Sequence, residues 1–192
     1  MKLLGVIYFV MFAQITHSQT VLSMGNDHKY TYYEVVIDTG LTKDSLMLCA
    51  KTFLEKNHDQ SFKITIEEEA ALVAEGSFVV DKTILVASHP SGQVTYKFTF
   101  NAKNGRYRFW LTDFVYTPYI RDRYGNFVPK SNLGKPLEKA LGKLKSADWN
   151  AVLIATAAKT KEMGEEFKKF MAAKLLLPPV IAVPKASVKA DW

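Results

Sequence analysis

Few residues in this chain have types and spacing that could do chemistry. Ile37-Asp38-Thr39-Gly40 carries the Asp-Thr-Gly pattern with which aspartic proteases place two carboxylates so that they share one proton. Here Leu41 and a helical pattern follow it in place of more strand, and no later partner motif supplies a second carboxylate. A hydrolase built on Asp38 would therefore need two copies of the chain, and it stands as the alternative reading. His28, His58 and His89 are the histidines beyond the first eighteen residues, and none has the spacing to Cys, Asp, Glu or another His that a zinc site demands. Glu67, Glu68 and Glu69 sit in an extended segment that points them to alternate sides, without the turn glycine of a calcium loop. Cys49 is the only cysteine, so no intramolecular disulfide forms, and with no histidine near it in sequence it reads as a small packed hydrophobe. None of these groups implies a metal or a cofactor.

The remaining candidates are Lys97, Arg106, Arg108 and Trp110, which share one face of a β-hairpin over residues 93–114. Two alternating runs flank Asn104-Gly105, a dipeptide suited to positive φ at both centres of a type I′ turn. That turn predicts Lys103 opposite Arg106, Ala102 opposite Tyr107, Phe100 opposite Phe109, Phe98 opposite Leu111 and Tyr96 opposite Asp113. Phe98, Phe100, Phe109 and Leu111 are thereby core. The other face pairs Asn101 with Arg108, Thr99 with Trp110 and Lys97 with Thr112. A basic strip with one large aromatic suits an acidic glycan, a phospholipid headgroup or a partner protein. It is equally what a wet sheet face, or a surface beneath the C-terminal helix, would carry.

The elements that must position this hairpin follow from periodicity. Residues 30–38 alternate as a strand with Thr31, Tyr33, Val35 and Ile37 on one face. Gly40 ends it, and Thr42 caps a helix that runs to about Asn57 with Leu46, Cys49, Ala50, Phe53 and Leu54 at helical spacing. Residues 62–67 and 72–80 read as two more strands, although residues 68–74 also fit a helical turn. His89-Pro90-Ser91-Gly92 predicts a turn before the hairpin. Residues 115–135, interrupted by Pro118, Gly125, Pro129 and Gly134, predict a long loop. Leu137, Ala140, Leu141 and Leu144 form a short helix, and a longer one starts near Ser146 and stops before Pro178-Pro179. The class is α+β: a curved antiparallel sheet with helices on one face, in the order strand, helix, strands, helix.

Residues 1–18 read as a signal peptide, with Lys2 before an apolar run too short to span a bilayer and cleavage expected to leave Gln19 first. The folded domain is expected over residues 28–175 and a proline-containing tail over residues 176–192. The chain is thus expected to be exported, periplasmic or secreted, with no transmembrane segment once the leader is removed. The formal charge is +6, and residues 130–192 hold 12 basic against 6 acidic side chains. Export argues against nucleic acid as the partner of this excess, and lysines around amphipathic helices are also simply a solvated face.

Three stretches together, YYEVVIDTGLTKDSLMLCAKTFLEK, GSFVV and VTYKFTFNAKNGRYRFWLTDF, resemble an uncharacterised family of small exported bacterial proteins, a domain of unknown function with a TBP-like fold. The resemblance covers about residues 30–115, and its most specific part is the aromatic strand followed by Lys-Asn-Gly-Arg-Tyr-Arg-Phe. It implies a curved antiparallel sheet with helices on its convex side. It implies no activity, and a fold shared with a DNA-binding saddle does not bring DNA binding with it. The leading functional reading is a non-enzymatic binding module of the envelope.

Overall fold

The computed structural model describes residues 22–25, 27–37, 39–57, 62–84, 87–131, 133–139 and 146–175. The leader over residues 1–18, Asp38, His58, the tail from residue 176 and most of the short helix expected after Pro136 lie outside the described residues. Ten elements succeed one another: β1 Ser23–Met24, β2 Tyr30–Ile37, α1 Lys43–Lys56, β3 Lys63–Glu67, β4 Ala71–Ile84, β5 Ala87–Lys103, β6 Arg106–Arg121, β7 Phe127–Pro129, β8 Lys135–Pro136 and α2 Ser146–Leu175. The strands form one antiparallel sheet in the order β1-β2-β6-β5-β4-β3, with β7 and β8 paired to the far part of β6. Register shifts interrupt three of the ladders, and such bulges bend and twist a sheet. The fold class read from the sequence is the observed one.

Thr42 opens α1 as expected: its backbone is extended and its hydroxyl accepts the Ser45 amide hydrogen at 3.3 Å. A second cap comes from a distant segment, because the Lys43 amide donates to Asn104 Oδ1 at 2.8 Å and the Gly105 amide donates to the Leu41 carbonyl at 2.8 Å. The hairpin tip is thus tied to the start of α1. Only Gly105 takes positive φ there, at 73°, while Asn104 does not, so the turn is not the type I′ expected. Asn104 serves the neighbouring helix with its side chain, and a single left-handed glycine suffices to reverse the chain.

Two other expectations are corrected. The residues His89 to Gly92 do not form a turn; they lie within β5, where a register shift between Val80 and Asp81 of β4 absorbs the local irregularity. Pro90 pairs only with Asp81 of β4, because the β5–β6 ladder begins at Gly92, so one edge of its backbone has no strand to bond. The expected long loop is also mostly strand. β6 continues to Arg121, and a turn closed by Asp122 and Gly125 (φ 88°) returns the chain as β7. The Asp122 carboxylate accepts the Tyr124 and Asn126 amide hydrogens at 2.8 Å each, which holds its pKa below the usual range, the Asn126 bond contributing most.

Both helices cover the same face of the sheet, the one that carries Phe98, Phe100, Phe109 and Leu111, all fully buried. From α2, Phe167 places its ring edge-on to five others: Phe109 at 4.8 Å, Phe53 of α1 at 5.0 Å, Phe98 at 5.4 Å, Phe100 at 5.7 Å and Tyr107 at 6.0 Å. Near it α2 crosses β2 at Gly164, where a Cβ would lie 2.6 Å from the Tyr32 hydroxyl oxygen. Tyr32 donates to Glu34 at 2.9 Å, and Lys168 reaches Glu34 at 3.4 Å and Glu165 at 2.9 Å, a partly buried polar seam between helix and strand. Burial first, then that hydrogen bond, raises the Tyr32 pKa. Cys49 is half-buried against the core, as a packing residue rather than an exposed thiol.

Phe167→Ala is expected to lower stability by about 3 to 5 kcal/mol through the cavity it leaves, read as a shifted urea midpoint with unchanged slope. The opposite sign is expected on the same helix face: the hydroxyls of Thr156 and Thr160 are fully buried with no hydrogen-bond partner among the described residues. A buried orphan hydroxyl costs about 1 to 3 kcal/mol, so Thr160→Val is expected to raise the melting temperature; a lowered one would mean that the hydroxyl is engaged.

Candidate binding face

Because side chains alternate along a strand, a sheet with one face under helices presents its other residues on the opposite side. The observed registers align those residues into rows. One row runs across five strands as Tyr33, Trp110, Thr99, Val73 and Ile66. Beside it lie Val35, Arg108 and Asn101, then Ile37, Arg106 and Lys103; on its other side Thr112, Lys97, Glu75 and Lys63 are in register. No described helix packs on this face.

The sequence places Lys97, Arg106, Arg108 and Trp110 on one face of the hairpin, and the structure keeps them there: the three cations are exposed and Trp110 is half-buried. Arg108 lies with its guanidinium carbon 5.5 Å from the centre of the Trp110 ring and its Nε 3.4 Å from Asn101 Oδ1. Tyr33 packs tilted against Trp110 with 6.3 Å between ring centres. Thr99 and Val73 fill the middle of the row and are themselves largely covered.

Sequence reasoning missed the apolar residues of this face. Tyr33, Val35 and Ile37 are 54, 51 and 75 % exposed, and Ile66 is 45 % exposed. They belong to β2 and β3, strands distant in sequence from the hairpin, and only the sheet order brings them beside Trp110 and Val73. The alternation of Tyr33, Val35 and Ile37 was the available signal. Lys63 and Lys103 join the same face, so five cations stand there with Glu75 in their rows and Asp27 and Asp113 lining the hollows beside them, and among the described residues none of the five is in an ion pair.

Hollows follow the row. One of about 430 Å³ is lined by Tyr33, Val35, Asn101, Lys103, Arg106 and Arg108, and one of about 320 Å³ by Tyr33, Arg108, Trp110 and Thr112 with Asp27 and Thr31. A third, of about 650 Å³, lies toward Ile66, Val73, Glu75 and Lys97. Such shallow, open depressions with a cationic rim and an aromatic floor can hold an anionic group against apolar surface. They offer no nucleophile–base pair. Asp38 itself lies outside the described residues, and its neighbour Ile37 is in register with Arg106. His28 is exposed and His89 stacks on Phe127 with 5.6 Å between rings, and no group of three His, Cys, Asp or Glu able to hold a metal occurs among the described residues.

A bulge decides which face the far half of β6 presents. Lys97 pairs with Thr112 but Thr95 pairs with Val115, so β6 carries one extra residue and Tyr96 does not face Asp113 as the turn register predicts. Asp113 takes the left-handed conformation (φ 55°) and forms an ion pair with Lys29. Buried positions accordingly change from Tyr107, Phe109 and Leu111 to Phe114 and Tyr116. Without the bulge, Phe114 and Tyr116 would point at solvent.

The covered face, the open face and the two packed helices define an α+β protein of TBP-like fold. Residues 32–117 match the family model of a domain of unknown function (DUF4468) with TBP-like fold. The chain is similar to the crystal structure of a TBP-like protein from Parabacteroides distasonis ATCC 8503, at 13% identity and a TM-score of 0.58, covering 79% of this chain and 97% of that one. It is also similar to that of a DUF4468 family protein from Bacteroides ovatus ATCC 8483, at 12% identity and a TM-score of 0.57, covering 84% of this chain and 96% of that one. At these identities the likeness is one of fold. No curated protein matches the chain. No described helix is long and apolar enough to cross a membrane.

The bulge sets a prediction for the site's scaffold. A β-branched residue pays most in left-handed backbone, so Asp113→Val is expected to cost about 1 to 3 kcal/mol, whereas Asp113→Gly should stay within about 1 kcal/mol because glycine relieves the strain that the lost ion pair offsets. Equal urea midpoints for the two variants would show that the left-handed bulge does not set the strand's facing.

Proposed function

We propose that this chain is a non-enzymatic binding module, exported to the cell envelope or beyond, which holds an anionic partner against the open face of its sheet. The row of Tyr33, Trp110, Thr99, Val73 and Ile66, bordered by Arg106, Arg108, Lys103 and Lys97, is the observation that supports this reading. Tyr33, Val35, Ile37 and Ile66 leave apolar surface in water on this face, and exposed apolar groups rimmed by charge are the usual composition of an interaction surface. Arginine suits the rim because its planar fork pairs with carboxylate or phosphate through two parallel hydrogen bonds. An envelope protein, an acidic glycan or a lipid headgroup could supply that anion. The export half of the reading rests on residues 1–18, and an N-terminal residue other than Gln19 in the exported product would overturn the expected cleavage.

The test uses the chain from Gln19, immobilised against envelope extract, with each retained species then titrated alone. Binding is expected to weaken between 0.1 M and 1 M salt, as the Debye length falls from about 10 Å to about 3 Å. Arg106→Ser combined with Arg108→Ser is expected to lower affinity about tenfold or more, because two charge-assisted contacts are lost. Its melting temperature should be unchanged, since exposed side chains contribute little to folding. Undiminished affinity in the double variant excludes the open face as the site, and a variant that unfolds makes the strip part of the scaffold.

A further inference from the structure

Near one end of the sheet order, β2 is left with an open edge. On its inner side Tyr32 to Ile37 pair with Leu111 to Arg106 of β6, while on its outer side β1 pairs with Tyr30 and Thr31 alone. Two hydrogen bonds show which way the backbone points. Tyr30 turns toward β6, where the Thr112 hydroxyl donates to its carbonyl at 3.5 Å, and Lys29 turns outward, where its carbonyl accepts the Gly25 amide hydrogen at 2.8 Å. These groups alternate along an antiparallel strand, so Tyr33, Val35 and Ile37 aim their N–H and C=O groups outward, and among the described residues no strand accompanies them there. The same three residues carry exposed apolar side chains.

The opposite edge of the sheet is built differently. β3 is five residues long, has a register shift between Ile64 and Ile66, and holds Lys63 and Glu67 at its ends, features that discourage a further strand. β2 has no proline and no register shift against β6, and its one charged residue, Glu34, is met by Lys168 at 3.4 Å. In a chain of formal charge +6, this edge is apolar and nearly uncharged.

We propose that the β2 edge pairs with the β2 edge of a second copy of this chain, antiparallel about a twofold axis at Val35. Side chains have to stay on matching faces, so odd positions pair with odd positions. With Val35 opposite Val35 of the second copy, Tyr33 falls opposite Ile37 and Glu34 opposite Val36, so each exposed apolar residue of one edge meets an apolar residue of the other. An axis at Glu34 would set two carboxylates directly opposite each other, which is unfavourable, and an axis at Val36 would leave Tyr33 beyond the end of the other strand. A second copy supplies this complementary pattern by symmetry alone, whereas an anionic partner is drawn to the arginine rows beside it. The pairing makes the two open faces continuous, because the row of Arg108 and Val35 runs on into Val35 and Arg108 of the second copy. It does not depend on those rows binding anything.

Sedimentation equilibrium of the chain from Gln19 tests this. The parent is expected to pass reversibly from monomer to dimer between about 1 μM and 1 mM, the range of a pairing smaller than a standard interface. Val35→Glu and Val35→Lys each set like charges against each other at the axis, and each is expected to weaken dimerisation about fivefold or more. An equimolar mixture of the two is expected to recover the dimer as one of each. Val35 is 51 % exposed, so both variants should keep the parent's far-ultraviolet circular dichroism. Where either does not, a mixture of Tyr33→Glu and Ile37→Lys, positions that face each other across the axis, makes the same test. A parent that stays monomeric throughout, single variants that dimerise like the parent, or a mixture that stays monomeric would overturn the proposal.

Discussion

Edge-to-face packing of Phe167 against Phe53, Phe98, Phe100, Tyr107 and Phe109 is the contact on which the rest of the molecule depends. It joins both helices and the two central strands in one aromatic cluster. Such pairs contribute about 0.5 to 1.5 kcal/mol each beyond the area they bury, and they have a preferred geometry that a purely aliphatic core lacks. Phe167 can reach these rings only if α2 lies close to the sheet. The close approach at Gly164, where the Tyr32 ring occupies the place of a side chain, permits that. Once α2 and α1 lie there, one face of the sheet is dry and the opposite face is left for other uses.

Period-two alternation then binds the two faces to each other. Trp110 cannot be turned inward without turning Phe109 and Leu111 outward, so the aromatic floor of the open face is held by burial on the other side. The same coupling explains why bulges matter here. At Asp113 one additional residue exchanges the faces of β6 at the cost of one left-handed residue, and the strand keeps Phe114 and Tyr116 buried for the rest of its length. β6 is therefore one strand with two assignments. Its first half serves the open face beside β2 and β5, and its end leaves the main ladder to form the hairpin with β7.

The rows of the open face, cations beside exposed aromatic and aliphatic groups, present side chains in parallel on a broad sheet, which suits an extended or flat partner.

Local rules in the sequence determined most of the elements. Asn104-Gly105 with alternation on both sides set the hairpin register from Lys97 to Thr112, Thr42 and the helical spacing after it set α1, and the pattern from Ser146 set α2. These features depend on residues a few positions apart, so they are legible in one chain. What tertiary structure alone decided was the sheet order that brings Tyr33 and Val35 beside Trp110 and Arg108, the bulge at Asp113, the conformation of Asn104, and the strands made from Pro90 and Pro118 segments that look like turn and loop. Each of these depends on partners tens of residues away. A proline is tolerable in a strand only where no neighbouring strand needs its N–H, and an extra residue is tolerable only where it returns buried side chains to the core; neither condition exists until the sheet has assembled.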